Sequence, residues 1–259
     1  MPYRFARERG DYSDFASGRV FRSLPGRTAF PVRLADELFQ RCLALRPPER
    51  RDSPVTLYDP VCGGATLLCT LALLHWRAIR RIVASDADPE AVALAGRNLA
   101  LLTQEGMAER RREIAALHAE FGKDSHAEAL RSADRLAARL DDLVQLHPLE
   151  TRLFQADALD PTGLGPHLES GSVGVVIADV PHGRHTRWLD GEAERAISDG
   201  NTANWHLLEA LRPALAPDAV VAIVGDKAQR ARHERYAPAG TLQLGKRRAT
   251  FLTVRATPV

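Results

Sequence analysis

Val55-Thr56-Leu57-Tyr58-Asp59-Pro60-Val61-Cys62-Gly63-Gly64-Ala65-Thr66-Leu67-Leu68-Cys69 is the stretch whose reading decides the fold. Its first five residues read as a short buried strand ending in a carboxylate, and Thr66 to Trp76 reads as an apolar helix. Between them, Gly63 and Gly64 keep bulky side chains out of a tight turn, so that backbone amides and a helix N-terminus can approach a ligand. A dinucleotide site wants Gly-x-Gly-x-x-Gly with a pyrophosphate on the helix end, and this loop lacks that spacing. The Asp59 carboxylate would repel phosphate, whereas it suits the cationic amino group of a methionine moiety. The loop therefore predicts S-adenosylmethionine over NAD, with Asp59, Pro60, Cys62, Gly63 and Gly64 as candidate contacts.

Outward from the loop the pattern repeats. Ile82 to Asp86 reads as a second strand, and Pro89 opens a helix through Leu102 at a tolerated first-turn position. Asp86 or Asp88, flanking Ala87, is the expected partner of ribose hydroxyls, because a carboxylate can accept from both at once. The runs Arg152 to Asp157, Val173 to Asp179 and Ala219 to Asp226 are further β-favouring segments ending in Asp. Strands alternating with helices predict a doubly wound, mostly parallel, Rossmann-like α/β sheet, with acids gathered where ligands bind. Asp157 with Ala158 falls where an adenine edge would be read. Thr241 to Leu244 and Ala249 to Val254 predict an antiparallel hairpin edge around the basic turn Gly245-Lys246-Arg247-Arg248. A glycine turn or a strand-end Asp is, taken singly, more often structural. Several in order along one chain are harder to read that way.

The whole chain, 1–259, reads as one domain with an N-terminal helical extension, 1–52, and a helical insertion, 105–147. Leu130, Leu136, Leu140, Leu143 and Val144 recur at helical spacing, which predicts one or two amphipathic helices broken near Phe121-Gly122-Lys123-Asp124-Ser125. The charged segment 46–52, with Pro47 and Pro48, is the expected mobile link. Lys and Arg number 35 against 33 Asp and Glu, so net charge gives faint support for a nucleic-acid partner. Three cysteines without metal-type spacing indicate neither a disulfide framework nor a metal site and suit a reducing cytoplasm. The most apolar stretch, Leu67 to Trp76, is about half of the ~20 residues that a membrane span requires.

After the fourth strand comes Asp179-Val180-Pro181-His182-Gly183. Amino-directed nucleic-acid methyltransferases carry a related [Asp/Asn]-Pro-Pro-[Tyr/Phe] loop, in which an oxygen acceptor and a backbone carbonyl orient the target nitrogen while the ring stacks on the base. Asp179, Pro181 and His182 are the catalytic candidates, with Asp179 also beside the cofactor. The plainer reading is a strand-exit turn. Arginines interleaved with Tyr3, Phe5, Tyr12, Phe15 and Phe21 near the start can contact RNA, although most of those rings are better read as a cap folded onto the sheet. Arg131, Arg135 and Arg139 form one stripe on a helix face, and an ordinary solvated face paired with nearby acids is the more common meaning of such a stripe.

Phe30-Pro31-Val32-Arg33-Leu34-Ala35, Asp59 to Gly63, Ala84-Ser85-Asp86-Ala87-Asp88-Pro89, Asn98 to Leu102, Phe121-Gly122-Lys123 and Asp179 to Gly183 together resemble the AviRa family of avilamycin-resistance ribosomal RNA methyltransferases. The resemblance runs over nearly the whole chain. It implies a Rossmann-like enzyme that methylates a guanine of large-subunit ribosomal RNA and so protects the ribosome from an orthosomycin antibiotic. It also implies cofactor roles for Asp59, Gly63, Asp86 and Asp157, and a target-base loop at Asp179 and His182. Arg33, Lys123, Arg131 and Arg135 are the candidate RNA contacts. Two positions depart from the family: Gly63-Gly64-Ala65 stands for Gly-Ser-Gly, and His182 for Tyr. The competing expectations are a small-molecule methyltransferase whose insertion forms a lid, and a noncatalytic RNA-binding relative.

Overall fold

A computed structural model of the chain describes residues 3–8, 10–16, 18–23, 30–180 and 200–255. Seven strands, β1 (Val55–Asp59), β2 (Ile79–Asp86), β3 (Glu150–Gln155), β4 (Val173–Asp179), β5 (Leu215–Asp226), β6 (Tyr236–Leu244) and β7 (Arg247–Val254), form one sheet in the order β3-β2-β1-β4-β5-β7-β6. The pairings from β3 to β5 are parallel, and β7 is antiparallel to both β5 and β6. The predicted α/β architecture with a closing hairpin is thus the one observed. β1 is buried throughout and β4 in all but its last residue, as expected for central parallel strands covered on both faces. Because chain order reverses between β1 and β4, a crevice opens at their carboxyl ends, and both strands finish there in Asp.

The helices follow from local signals. α1 (Val32–Leu45) packs against α2 (Thr66–His75), and α3 (Pro89–Leu99) begins with Pro at its first turn and Asp88 as cap, the carboxylate accepting from the Glu90 N–H at 2.9 Å. The helix expected through Leu102 tightens into a 3-10 turn after Leu99. The insertion is two helices, α4 (Gln104–Phe121) and α5 (Asp124–Val144), and α4 stops at Gly122, whose φ of 60° favours glycine. α5 buries Ala129, Ser132, Ala133, Leu136 and Leu140. α6 (Pro161–Leu164) and α7 (Gly200–Leu211) flank β4 in the chain.

Most strands begin a few residues earlier than expected, and three particular residues or segments fall elsewhere than the sequence suggested. β3 ends at Gln155, so Asp157 lies in the following turn, with its carboxylate accepting from the Leu159 N–H at 2.9 Å. The β6–β7 turn is only Gly245 and Lys246, which places Arg247 and Arg248 on β7. The segment 46–52 is no free link. Arg46, 4% exposed, lies 2.8 Å from the Asp218 carboxylate and donates to the Ser53 carbonyl, an anchoring that a buried guanidinium requires.

The start of the N-terminal segment is held against α1 by a carboxylate. Glu37, buried on α1, accepts from the Arg4, Phe5 and Ala6 N–H groups at 2.7, 2.7 and 2.9 Å and pairs with Arg41 at 2.6 Å. Phe15 and Phe21 are buried in the main core together with Met107 and Ile114 of α4, so these rings cap the fold instead of facing solvent. No helix among the described residues is long and apolar enough to cross a membrane.

Candidate active site

The loop from Asp59 to Ala65 turns on two left-handed residues, Gly63 (φ 53°) and Ala65 (φ 55°). Four of its amides are bonded inside the protein: Val61 N–H on the Asp59 carboxylate, Cys62 on the Ser85 carbonyl, Gly63 on the Asp86 carboxylate and Ala65 on the Cys62 carbonyl. A Cβ built on Gly63 would meet nothing within 4 Å, whereas one on Gly64 would lie 2.8 Å from the Leu94 side chain. Gly63 thus borders open space, and Gly64 is required for packing against α3. Pro60 and Cys62 are buried behind the turn. Burial, then the carboxylates of Asp59 and Asp86, push the Cys62 thiol up, so it serves as a neutral wall.

Asp59 is 2% exposed. Burial first, and then the charges of Asp179 and Asp86, raise its carboxyl well above the usual range, against the opposing Val61 N–H. The acids at the ends of β2 and β4 thus lie within electrostatic reach of Asp59 at the end of β1. Asp86 accepts from Gly63 with one oxygen and from the Asp88 N–H, at 3.1 Å, with the other. A carboxylate oxygen can accept from more than one donor at a time. Asp88 caps α3, the Ala87 carbonyl accepts from Gln155 at 3.0 Å, and Ala158 is buried beside the Asp157 turn. A cluster of carboxylates at the mouth, with open space at Gly63, fits a cationic adenosyl ligand better than a pyrophosphate.

At the end of β4, the Asp179 carboxylate lies 3.4 Å from Arg247 of β7, whose guanidinium also sits 5.3 Å from the centre of the Phe30 ring. Val180 continues the sheet register by donating to the Val224 carbonyl at 2.8 Å. Pro181, His182 and Gly183 lie outside the described residues.

Of the candidate RNA contacts, Arg33 donates to the Ala6 and Arg7 carbonyls at 2.9 and 2.7 Å and stacks over Tyr3 at 4.1 Å. Arg135 pairs with Asp14, and Arg139 of the same stripe donates to the Leu73 carbonyl at 2.8 Å. The structure thus gives those arginines anchoring contacts, leaving Arg131 and Lys123 exposed, the latter 5.7 Å from the Phe121 ring centre at the tip of the helical pair. The acids of α5 reach across to other elements: Glu128 to Arg19, Asp134 to Arg111 and Asp141 to Gln104. Two residues near the site carried no functional signal in the sequence. Asn98 donates to the Gly64 carbonyl at 2.8 Å, and Arg247 read only as part of a basic turn.

The family described as rRNA methyltransferase AviRa matches residues 1–247. The chain belongs to that family. A member, the 23S rRNA (guanine(2535)-N(1))-methyltransferase of Streptomyces viridochromogenes, is 42% identical over 99% of this chain and 97% of its own length. Two solved structures of the AviRa rRNA methyltransferase from that organism have TM-scores of 0.81 and 0.83 at 38% and 39% identity. They match 97% and 96% of this chain over 96% and 95% of their own. TrmN from Thermus thermophilus shares the fold alone, with a TM-score of 0.52 and 18% identity over 89% of this chain and 51% of its own. The small residue at the end of the loop has a physical reason, since Ala65 is the only described non-glycine residue with positive φ.

Proposed function

We propose that this AviRa-family chain transfers the methyl group of S-adenosylmethionine to a guanine base of large-subunit ribosomal RNA. The observation that carries the reading is the convergence of Asp59, Asp86 and Asp179 at the β1/β4 crevice, in a chain 42% identical to a guanine-N1 enzyme. When bound, the cofactor supplies a methyl group already activated on a sulfonium, so the protein needs position more than acid–base machinery. Asp59 would face the cationic amino group, Asp86 and Asp88 the ribose hydroxyls, and Asp157 with Ala158 the adenine edge. Gly63 leaves room for close approach. Asp179 is the acceptor for the N–H edge of the guanine, oriented by Arg247, with Pro181 and His182 completing the loop against the base. Lys123 and Arg131 are the outlying candidates for phosphate contact.

The chain acts in this reading as one unit, 1–259, in which 1–52 and 105–147 are extensions of the methyltransferase sheet. Arg22 with Glu113 and Arg19 with Glu128, at 2.6 and 2.8 Å, support that by tying the two extensions together. Ribosomal RNA or the large subunit would meet it in the cytoplasm. Labelled S-adenosylmethionine with unmodified large-subunit RNA should yield methylguanine, and Asp179→Ala should abolish transfer while cofactor binding persists. Absence of label in RNA and in ribosomal particles would sink the proposal. Orthosomycin resistance follows only if expression in a susceptible bacterium raises the inhibitory concentration, with Asp179→Ala as control.

A further inference from the structure

Beyond the acids of the crevice, the same edge of the sheet carries a second cavity. The N-terminal turns of α7 and the loop after β5 border an open hollow of about 380 Å³ lined by Asn201, Thr202, Trp205, Arg230 and Arg232. That volume is at the lower end of the ~300–1,000 Å³ typical of small-ligand sites and holds one nucleotide. The loop adjoins the end of β4. Gln229 accepts from the Asp226 N–H at 2.8 Å, and a Cβ on Gly225 would touch both Gln229 and Val180, the residue after Asp179.

Trp205 is built as a platform. Its indole is 36% exposed, yet one face stacks on the His233 ring, with centroids 4.8 Å apart and planes 25° from parallel, and its N–H donates to Glu234 at 3.1 Å. His233 is itself fixed. It is buried, edge-on to Tyr236 at 5.4 Å, accepts from the Arg235 N–H at 3.1 Å, and has Glu209 within 2.9 Å, outside hydrogen-bond alignment. A large aromatic held rigid from behind and left open in front loses little entropy when a flat group lies on it. Arg230 and Arg232 line the cavity and, among the described residues, form no ion pair. An aromatic face beside two such guanidiniums matches a nucleotide, base on ring and phosphate on cations.

We propose that this cavity is a subsite for an unpaired nucleotide of the RNA substrate flanking the target guanine, its base on Trp205 and its phosphate on Arg230 and Arg232. The subsite rests on the RNA-methyltransferase reading. Its test uses the full chain, an unmodified large-subunit RNA transcript, and the variants Trp205→Ala, Trp205→Phe and Arg230→Ala/Arg232→Ala, with cofactor affinity measured by calorimetry in each. Trp205→Ala should raise the Kd and KM for the transcript about tenfold, the lower part of the range for losing one stacked base, while Trp205→Phe stays within about threefold. The double arginine variant should lower the slope of log Kd against log salt by about 0.7, the share of the one single-strand phosphate left without its cations. If Trp205→Ala also loses cofactor affinity, the Phe and double arginine variants decide. Wild-type transcript affinity and salt slope in the double arginine variant overturn the subsite, whatever the methylation outcome. RNA binding that depends on Trp205 without any methyl transfer leaves the subsite standing and removes the methyltransferase reading. Neither binding nor transfer removes both.

Discussion

The buried carboxamide of Asn98 on α3 grips Gly64 of the cofactor loop, donating to its carbonyl at 2.8 Å. The same group donates to the Arg22 carbonyl at 2.9 Å and accepts from the Arg22 N–H at 2.8 Å. Arg22 then pairs with Glu113 of α4 at 2.6 Å. One side chain therefore fixes the turn, the N-terminal segment and, through Arg22, the insertion. Asn98→Leu would keep the volume but take the side-chain partner from three partly buried backbone groups, a cost of about 2–4 kcal/mol. Urea unfolding should show that loss, and calorimetry should show S-adenosylmethionine binding weakened about tenfold or more as the turn loosens. Wild-type stability together with wild-type affinity would refute the clamp.

Asp59 makes cofactor binding pH-dependent. Its folded-state carboxyl is raised by burial and by Asp179 and Asp86, so folding is least penalised below its unfolded value of about 3.9, and stability is lost as pH rises from there. A bound cation favours the carboxylate. Between about pH 3.9 and the raised folded value, binding should therefore release a proton, and affinity should climb with pH before levelling off. Calorimetry in two buffers of different ionisation enthalpy reads that proton directly. Asp59→Asn should bind more weakly and release none; equal proton release in the variant would assign the titration elsewhere.

Local pattern exposed what local forces build. The β1 to α2 turn, the strand-end acids and the break at Gly122 each depend on residues a few positions apart, and all were legible. Asn98 was not, because an Asn in a helix looks the same whether it faces water or, as here, meets a partner 76 residues away. Arg33 and Arg135 stand among the candidate RNA contacts in the sequence because their actual partners, Ala6 with Arg7 and Asp14, are set by the way the N-terminal segment folds back. Arg46 misled similarly: a charged, Pro-containing segment looks like a linker until Asp218, 172 residues on, closes on it.

Arg247 is expected to govern turnover more than cofactor affinity. It lies 3.4 Å from Asp179 and against Phe30, and among the described residues no hydrogen bond or ion pair joins it to the loops after β1 and β2. Arg247→Ala should lower kcat for RNA methylation about tenfold or more, through misplacement of the Asp179 carboxylate, with S-adenosylmethionine affinity within about threefold of wild type. Arg247→Lys should recover part of the rate, since a point charge replaces the planar group without its fork geometry. Equal losses in kcat and cofactor affinity would mean that the residue supports the sheet edge as a whole.

Glu37 sets the acid limit of the N-terminal segment. Burial pushes its carboxyl up, but the Arg4, Ala6 and Phe5 N–H groups together with Arg41 outweigh that and hold it below the usual range. A depressed carboxyl contributes stability that is present above its unfolded value, about 4.3, and is lost as pH falls through the folded one. Unfolding free energy should accordingly drop below about pH 4.3. Glu37→Gln has one acceptor oxygen for contacts that now use two, so it should cost about 2–4 kcal/mol at neutral pH and flatten the acid slope. The released segment should also be cut by trypsin at Arg4 and Arg7 faster than in the wild type, because both lie in the stretch that Glu37 holds. An unchanged acid slope in Glu37→Gln would assign the pH dependence to other carboxylates, and unchanged cleavage would mean that Arg33, through the Ala6 and Arg7 carbonyls, suffices to hold the segment.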